Sequence, residues 1–317
     1  AGTAATSASG ARLARRDEGE GAAAVRLWRP AADVSPMFVH REVFVDECYL
    51  QHGVTLREGD IVVDVGANVG LFALFASRRV GARGAVLAFE PAPDTFECLE
   101  RNIAEECAAR PNGAAGAGRV YAQRLAVSDQ RRSLASVTVY PQATGWSTLE
   151  PAPASVAADV AAFAKSGGDV AGEFVPGGAG AFLRRALPAG AIEAVGSVAA
   201  RVLMRGAYST PCTVCSLPEA LACDGSPLAG KGNRGKPIAL LKVDVERHEM
   251  DVLRGIDART WRRIRQVAME VHDTSGSERD RVAAAEALLR KRGFRRVTVT
   301  QPPELSGSDL YNIFAVR

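Results

Sequence analysis

The sequence predicts an α/β protein built on a doubly wound, mostly parallel sheet of seven strands, with helices on both faces. Short and nearly uninterrupted apolar runs alternate with helical patterns over residues 61–127, and the same alternation resumes over residues 238–292. A glycine-containing turn joins the first strong strand to the helix that follows it. Such apolar runs are typical of strands buried on both faces, as parallel strands are.

The first half of the predicted sheet holds three strands and two helices. The strands are predicted at residues 61–65, 85–89 and 120–127. The helices are predicted at residues 71–79 and 93–107, and the second begins at a proline, which suits the first turn of a helix. Because the links between these elements are short, the strands are expected to run parallel with helices covering the sheet.

The second half of the predicted sheet begins at residue 238 and ends in a hairpin. Two further strands are each followed by a helix, and both helices end at a glycine, as helices commonly do. The last two strands pair across Pro302 and Pro303, so they need not run parallel to the others. In chain order these elements are a strand at 238–243, a helix at 246–255, a strand at 266–271, a helix at 277–292, and strands at 294–299 and 311–316.

The remaining segments define the domain organisation. Residues 1–24 are rich in Ala, Gly, Ser and Arg and predict a disordered N-terminal segment, whereas residues 25–317 predict one domain. Residues 38–50 carry aromatic and apolar side chains among charged ones, so they predict an amphipathic helix that covers the sheet edge or a pocket. The regular alternation lapses after the third strand, and a long Ala/Gly-rich insertion is predicted at about 145–210.

Composition argues against several classes of protein. Lysine and arginine number 39 against 36 acidic residues, and a net charge of +3 is too small to indicate a nucleic-acid partner. No run approaches the roughly 20 apolar residues of a membrane-spanning helix. Cys212, Cys215 and Cys223 have no histidine nearby, so we expect free thiols and no metal site. We expect a cytoplasmic protein, or an organellar one if the N-terminal segment is the remnant of a transit peptide.

A nucleoside site is predicted where the first strand ends. Gly66, Ala67, Asn68 and Gly70 form a turn in which glycine lets the backbone approach a ligand closely. Doubly wound sheets bind ligands in the crevice at this end of the strands. Glu90 ends the next strand, about 20 residues past the turn, where a carboxylate can bond ribose hydroxyls.

The residues around the turn favour S-adenosylmethionine (SAM) as the ligand. A dinucleotide fingerprint requires glycine at the positions that Asn68 and Leu71 occupy, and no Gly-Lys-Ser/Thr sequence follows the turn as a P-loop would require. Asp64 is poorly placed near phosphates but suits a ligand with a cationic amino group. Ser128 and Asp129 follow the third strand and are natural partners for an adenine ring.

Ionisable residues gather at the ends of the fourth and fifth strands, where an acceptor would bind. Lys242, Asp244 and Glu246 follow the fourth strand, and His272 ends the fifth. A histidine can take a proton near neutral pH, and His248 is a competing candidate. We predict that His272 or Asp244 accepts a proton from the acceptor, and that Lys242 or Glu246 orients it.

The motifs taken together resemble the FkbM family of SAM-dependent methyltransferases. This resemblance implies a class I methyltransferase fold, which is Rossmann-like, and usually O-methylation of a hydroxyl on a sugar or natural product. It also implies that Asp64, Gly66, Asn68, Gly70 and Glu90 hold SAM. Many members of the family have glycine at the position of Arg247. The motifs are residues 63–70, 89–91, 241–246 with Glu249, 253–255 and 270–272.

Other functions are compatible with parts of this pattern. A nicotinamide-dependent oxidoreductase is the alternative enzyme, although Asn68 and Leu71 argue against it. A methyltransferase-like fold that serves as an inactive binding module is the non-enzymatic alternative, although the intact Asp64, Glu90 and Asp244 argue against it. The partner expected from the main hypothesis is a small-molecule or carbohydrate acceptor, with no nucleic acid.

Overall fold

The computed structural model describes residues 3–19, 24–108, 118–149, 198, 201–223, 225–229, 235–273, 280–301 and 308–317. Its strands are β1 (Ala4–Thr6), β2 (Arg12–Glu18), β3 (Val25–Pro30), β4 (Ile61–Val65), β5 (Ala85–Phe89), β6 (Arg119–Gln123), β7 (Ala126–Ser128), β8 (Ser133–Val139), β9 (Tyr208–Ser216), β10 (Ile238–Val243), β11 (Ile264–His272), β12 (Arg296–Thr300) and β13 (Leu310–Val316). Its helices are α1 (Ser35–Phe44), α2 (Leu71–Val80), α3 (Pro93–Ala108), α4 (Leu217–Leu221), α5 (Glu249–Arg254), α6 (Ala258–Arg263) and α7 (Arg281–Lys291), and a 3-10 turn covers Thr144–Trp146.

A seven-stranded sheet forms the centre of the molecule and confirms the predicted fold class. Its strand order is β12-β13-β11-β10-β4-β5-β6. The five strands from β11 to β6 are parallel to their neighbours, whereas β13 runs antiparallel between β11 and β12 as the predicted terminal hairpin. The order of the strands reverses between β4 and β10, and such a switch point opens a crevice for a ligand.

The core lies on both faces of this sheet. In β4, Val63 and Val65 pack into one apolar cluster with β10 and β11, while Val62 packs into a second cluster beneath α2. This division follows from the alternation of side chains along a strand. Burial on both faces explains why β4 reads as a continuous apolar run, and each such side chain contributes about 1.5–3 kcal/mol.

The predicted third strand is divided between two sheets. Residues 119–123 form β6 at the edge of the main sheet, whereas residues 126–128 form β7, which pairs in parallel with β9 in a second sheet that also holds β8. Leu125 and Val127 pack into the core of the main sheet, and Ala126 packs into the core of the second sheet. A single apolar run therefore forms strands in two different sheets, and its periodicity alone does not reveal the division.

The N-terminal segment contains strands, so the prediction that residues 1–24 are disordered is wrong. β1, β2 and β3 form an antiparallel sheet, called here the N-terminal sheet. Leu13 and Leu27 are fully buried in it and pack against Leu71 and Leu74 of α2. Composition suggested disorder because the segment is polar, but pairing with β3 and packing on α2 stabilise it.

Two further predictions concern the segments that flank the sheet. α1 covers only the first part of the amphipathic segment predicted at 38–50, because it ends at Phe44, and the residues after it lead to the buried Tyr49. The insertion predicted at about 145–210 lies mostly outside the described residues. Within the described ranges, no helix combines the length and apolar character needed to cross a membrane.

Candidate active site

A cavity opens where the strand order of the main sheet reverses. Its floor is the turn between β4 and α2, and its sides come from the ends of β5, β7 and β10, from the loop after β8, and from α1 with its following segment. The lining residues are Pro36, Val39, Tyr49, Val65, Gly66, Ala67, Asn68, Val69, Leu71, Phe72, Phe89, Glu90, Pro91, Leu125, Ala126, Val127, Val137, Thr144, Gly145, Ser147, Thr148, Leu149, Lys242, Asp244, Val245, Glu246 and His248.

The turn at the floor depends on glycine. Gly66 has a φ of +81°, and a Cβ atom there would lie 1.7 Å from the Asp244 carbonyl oxygen, so no other residue fits without displacing the backbone. The backbone N–H groups of Gly66 and Ala67 both donate to the Phe89 carbonyl, each at 3.0 Å. Gly70, with a φ of +98°, caps the start of α2 and does not line the cavity. The two bonds to Phe89 hold the turn against the end of β5.

Glu90 and Asn68 form the wall on the β5 side. The Glu90 carboxylate accepts hydrogen bonds from the backbone N–H of Asn68 at 3.0 Å and of Ala92 at 2.9 Å. Burial raises the pKa of Glu90 to about 7, although these two bonds act to lower it. The Asn68 amide donates to the Thr144 hydroxyl at 3.1 Å, and that hydroxyl donates to Asp33 at 2.6 Å.

Lys242 links the turn to the acceptor side. The register of the parallel pair places Lys242 directly opposite Asp64. Its ammonium lies 2.7 Å from the Gly66 carbonyl, 3.1 Å from Asp64 Oδ1 and 3.3 Å from Asp244 Oδ2. Burial lowers the pKa of Lys242, but the carboxylates of Asp64 and Asp244 outweigh it and raise the pKa overall. The ammonium thus donates to one carbonyl and forms ion pairs with two carboxylates.

Asp64 lies beneath the turn and does not line the cavity. Its side chain is fully buried, and its Oδ2 atom has no hydrogen-bond partner in the described part of the chain. Burial raises the pKa of Asp64 to about 6, against the lowering effect of Lys242. A buried carboxylate with an unsatisfied oxygen contributes negative potential directly below the turn, which suits a cationic ligand.

Glu246 and His272 come together on the acceptor side. His272 is buried, with Nε2 lying 3.3 Å from Glu246 Oε2 and Nδ1 lying 3.0 Å from Glu249 Oε1. Burial lowers the pKa of His272, but the Glu249 and Glu246 carboxylates outweigh it and raise the pKa to about 10. Burial also raises the pKa of Glu246 to about 8, although His272 acts to lower it. The imidazole is therefore charged at neutral pH, and its two nitrogens face the carboxyl groups of Glu249 and Glu246.

The loop after β10 holds Glu246 in an unusual backbone conformation. Glu246 has a φ of +48° and Arg247 a φ of +77°, and each such residue costs about 1–3 kcal/mol. The helix predicted from residue 246 therefore begins only at Glu249. The Thr148 hydroxyl donates to the Glu246 carbonyl at 2.5 Å, and the Arg247 N–H donates to Glu249 Oε1 at 2.7 Å. A glycine at position 247 would adopt this φ without strain.

Several lining residues were not among the sequence-based candidates. Tyr49, Thr144 and Thr148 come from segments far from the motifs, and Tyr49 belongs to the amphipathic segment expected to cover a pocket. His248 lines the cavity, and its Nε2 lies 3.1 Å from the hydroxyl of the buried Ser128. Neither Ser128 nor Asp129 lines the cavity, so their contact with adenine stays a prediction.

The sheet order and the crevice define the class of protein: a Rossmann-like enzyme that binds a nucleoside-type cofactor at the switch point. Residues 64–296 match the family model described as the Methyltransferase FkbM domain. The chain belongs to this family, so it is a SAM-dependent methyltransferase with SAM as its cofactor.

Curated relatives agree with the family model. The chain is 35% identical over 281 residues to the 31-O-demethyl-FK506 methyltransferase FkbM of Streptomyces tacrolimicus, covering 88% of this chain and 89% of that one. It is 30% identical over 290 residues to Methyltransferase 1 of Beauveria bassiana, covering 91% and 92%. It is also 32% identical to the AMB antimetabolite synthetase AmbE of Pseudomonas aeruginosa, where 88% of this chain matches 12% of that protein.

The residues of the crevice fit SAM. Two buried carboxylates, Asp64 and Glu90, flank the turn, and they would repel a pyrophosphate but attract a sulfonium and an amino group. Leu125, Ala126 and Val127 provide an apolar strip on which an aromatic base can lie. The charge and the polarity of the site therefore agree with the cofactor of the family.

Proposed function

We propose that the enzyme transfers the methyl group of SAM to a hydroxyl on a small molecule, a sugar or a natural product. The observation that carries this proposal is Glu246, a carboxylate that lines the cavity beside Asp244 and has a pKa raised to about 8. A hydroxyl is a weak nucleophile until its proton is removed, and a carboxylate at this position can remove it. The name of the Streptomyces tacrolimicus relative, a 31-O-demethyl-FK506 methyltransferase, also refers to an oxygen acceptor.

In this proposal the turn and its two carboxylates hold the cofactor. The backbone at Gly66, Ala67 and Asn68 would lie against SAM, with Gly70 fixing the turn at the start of α2. Glu90 would accept hydrogen bonds from the ribose hydroxyls. Asp64 would act from below the turn through its charge, since it does not line the cavity. Ser128 and Asp129 would remain on the adenine side.

The acceptor side supplies orientation and a base. Bound SAM supplies an electrophilic methyl group on a sulfonium that departs as a neutral thioether, so no acid is needed for the leaving group. Glu246 would accept the proton of the acceptor hydroxyl and so make its oxygen nucleophilic. Asp244 accepts a hydrogen bond from the acceptor and holds its oxygen at attacking distance.

His272 and Lys242 support these groups rather than touch the acceptor. His272 is a cation between Glu249 and Glu246, so it positions the base and does not itself accept the proton. The Lys242 ammonium faces three oxygens of the protein, those of Gly66, Asp64 and Asp244, and so holds the turn and Asp244 in place. Lys242 thus connects the cofactor turn to the acceptor side, whereas His272 supports Glu246.

The test uses labelled SAM with paired acceptors that differ only in carrying a hydroxyl or an amine. We expect label transfer to the hydroxyl compound, with kcat rising with pH through about 8 as Glu246 loses its proton. Glu246→Gln should lower kcat by about 10²- to 10⁴-fold and abolish this rise, with SAM affinity retained. Transfer to amines alone, or an unchanged pH profile in Glu246→Gln, would contradict the proposal.

A further inference from the structure

Tyr49 and Glu270 lie beside Asp244, and neither has a role in the mechanism above. Val243 pairs with Met269 in the parallel register, so the next residues, Asp244 and Glu270, lie side by side at the ends of β10 and β11. Tyr49 reaches them from the segment after α1. Its hydroxyl lies 2.9 Å from Asp244 Oδ2 and 3.3 Å from Glu270 Oε1.

The position of the Tyr49 ring is fixed by packing. The side chain is buried, and the ring meets Phe72 of α2 edge to face with centroids 5.1 Å apart. The Lys242 ammonium lies 5.4 Å from the centroid of the tyrosine ring, a favourable cation–π arrangement. The phenol therefore cannot leave the two carboxyl groups without disrupting the wall of the cavity.

A count of protons determines how these three groups are bonded. A phenol has one proton, yet the Tyr49 oxygen faces two carboxyl oxygens. If both carboxyl groups were ionised, one of the two contacts would place a negatively charged oxygen against a lone pair. A proton on one carboxyl group removes this conflict, because that group then donates to the phenol oxygen while the phenol donates to the other.

The neighbours identify the protonated group as Glu270. Asp244 Oδ2 lies 3.3 Å from the Lys242 ammonium and forms an ion pair with it. Burial raises the pKa of Glu270 well above its ordinary value. The Asp244, Glu42 and Glu246 carboxylates raise it further, and His272 opposes them only in part. Cys48 is the remaining titratable group near Tyr49.

We propose that Glu270, as a neutral carboxylic acid, and Tyr49 form a positioning pair for Asp244. Glu270 donates a hydrogen bond to the Tyr49 oxygen, and Tyr49 donates to Asp244 Oδ2. Lys242 and Tyr49 then restrain Oδ2 from two sides, which leaves Oδ1 for the acceptor hydroxyl, since no hydrogen bond to Oδ1 occurs within the described ranges. The pair rests on the proposed function only in the contact between Asp244 and the acceptor.

Two substitutions of Glu270 with side chains of similar size test whether Glu270 donates a hydrogen bond as a neutral acid. The Glu270→Gln side chain keeps an N–H donor for Tyr49, whereas that of Glu270→Leu has none. We expect kcat to fall by about tenfold or more in Glu270→Leu and in Tyr49→Phe, the effect of one lost hydrogen bond to a charged group, and by no more than about threefold in Glu270→Gln. SAM affinity should stay within about twofold in all three, because the pair acts on the acceptor side.

The pH profile distinguishes positioning from a merely structural role. At high pH the wild-type Glu270 ionises, Tyr49 is shared between two carboxylates, and activity should decline. Glu270→Gln cannot ionise, so this decline should shift to higher pH or disappear. Tyr208→Phe is the matched control, since it removes a phenol-to-aspartate hydrogen bond of 2.7 Å, to Asp94, away from Asp244. Equal losses in Glu270→Gln and Glu270→Leu would overturn the inference, as would losses below about twofold in every variant.

An infrared measurement tests this inference separately from the proposed function, because it does not depend on catalytic activity. At neutral pH the infrared spectrum of the wild type minus that of Glu270→Gln should show the carbonyl band of a protonated carboxylic acid. A difference spectrum with only carboxylate bands would overturn the pair even if O-methylation were demonstrated. If the acid band is present and no hydroxyl compound is methylated, the proposed function fails while the protonated pair remains.

Discussion

At the scale of single residues, the contact of 3.3 Å between His272 Nε2 and Glu246 determines how the proposed reaction responds to pH. The imidazolium lowers the pKa of Glu246, so its removal in His272→Gln should raise that pKa above about 8. The rise of kcat with pH should then move to higher pH. Near neutral pH, kcat should fall by about tenfold for each pH unit of that displacement. The measurement is kcat against pH at saturating SAM.

The same variant distinguishes the two roles that the sequence suggested for His272. If His272 itself accepted the proton, the pH-dependent rise would vanish rather than move. SAM affinity serves as the internal control, because His272 does not line the cavity. A profile that stays at its wild-type position would contradict the coupling between the imidazolium and Glu246.

Gly66 offers a second residue-scale prediction, with Gly59 as its control. Both glycines have left-handed backbone, with φ of +81° and +88°, so an alanine costs about 1–2 kcal/mol at either position. Only at position 66 would the added Cβ meet another atom, the Asp244 carbonyl oxygen, whereas nothing lies within 4 Å at position 59. We expect Gly66→Ala to raise the Kd for SAM at least about tenfold, or about 1.4 kcal/mol, and Gly59→Ala to leave it near the wild-type value. If calorimetric titrations gave the same change in Kd for both variants, SAM binding would not depend on the close packing of the turn at Gly66.

At the scale of elements, the N-terminal sheet supports the helix that follows the SAM turn. Leu13 of β2 is fully buried against Leu71 and Leu74 of α2. Leu13→Ala should therefore lower the free energy of unfolding by about 2–5 kcal/mol, measured by denaturant titration. Leu134→Ala on β8 is the control, because that leucine is 81% exposed and its loss should cost no more than about 0.5 kcal/mol. A Leu13→Ala protein as stable as the control would mean that the N-terminal sheet does not brace α2.

These elements also show which parts of the fold can be predicted from sequence. β4, β5 and β10 have the predicted bounds because each is buried on both faces and so has a continuous apolar run. β2 was missed because it is Arg-Leu-Ala-Arg-Arg-Asp-Glu, in which one large apolar side chain lies among charged ones. Its stability comes from pairing and from the packing of Leu13, and neither leaves a periodic signal.

At the scale of the whole molecule, the site contains some residues whose proximity the sequence predicts and others whose proximity it does not. Glu90, Asp244 and Glu246 were predicted together because the ends of parallel strands meet at one edge of a sheet. Tyr49 donates to Asp244 although 195 positions separate them, and Thr144 comes from a loop between two strands of the second sheet. Residues that reach the crevice from outside the main sheet obey no topological rule, so their positions required the structure.

The whole molecule should lose stability as pH rises, in contrast to proteins whose acidic groups have lowered pKa values. Burial raises the pKa of Asp64 to about 6, of Glu90 to about 7 and of Glu246 to about 8, from ordinary values of 3.8, 4.5 and 4.5. The folded state thus binds more protons than the unfolded state between these limits. By linkage the stability that these three groups contribute is full below about pH 4 and is lost progressively up to about pH 8. His272, with a pKa raised to about 10, acts in the same direction at higher pH.

The cofactor should oppose this loss, since a cation near the turn favours the ionised carboxylates. Without SAM, the melting temperature should decrease as the pH is raised from about 5 to about 8. Adding SAM should raise the melting temperature more at pH 8 than at pH 5. Glu246→Gln should make the decline shallower, because an amide cannot release a proton at that position. A midpoint that rises over this range would mean that the buried carboxylates are already ionised at low pH. The negative potential that we assign to the SAM site would then exist before the cofactor binds.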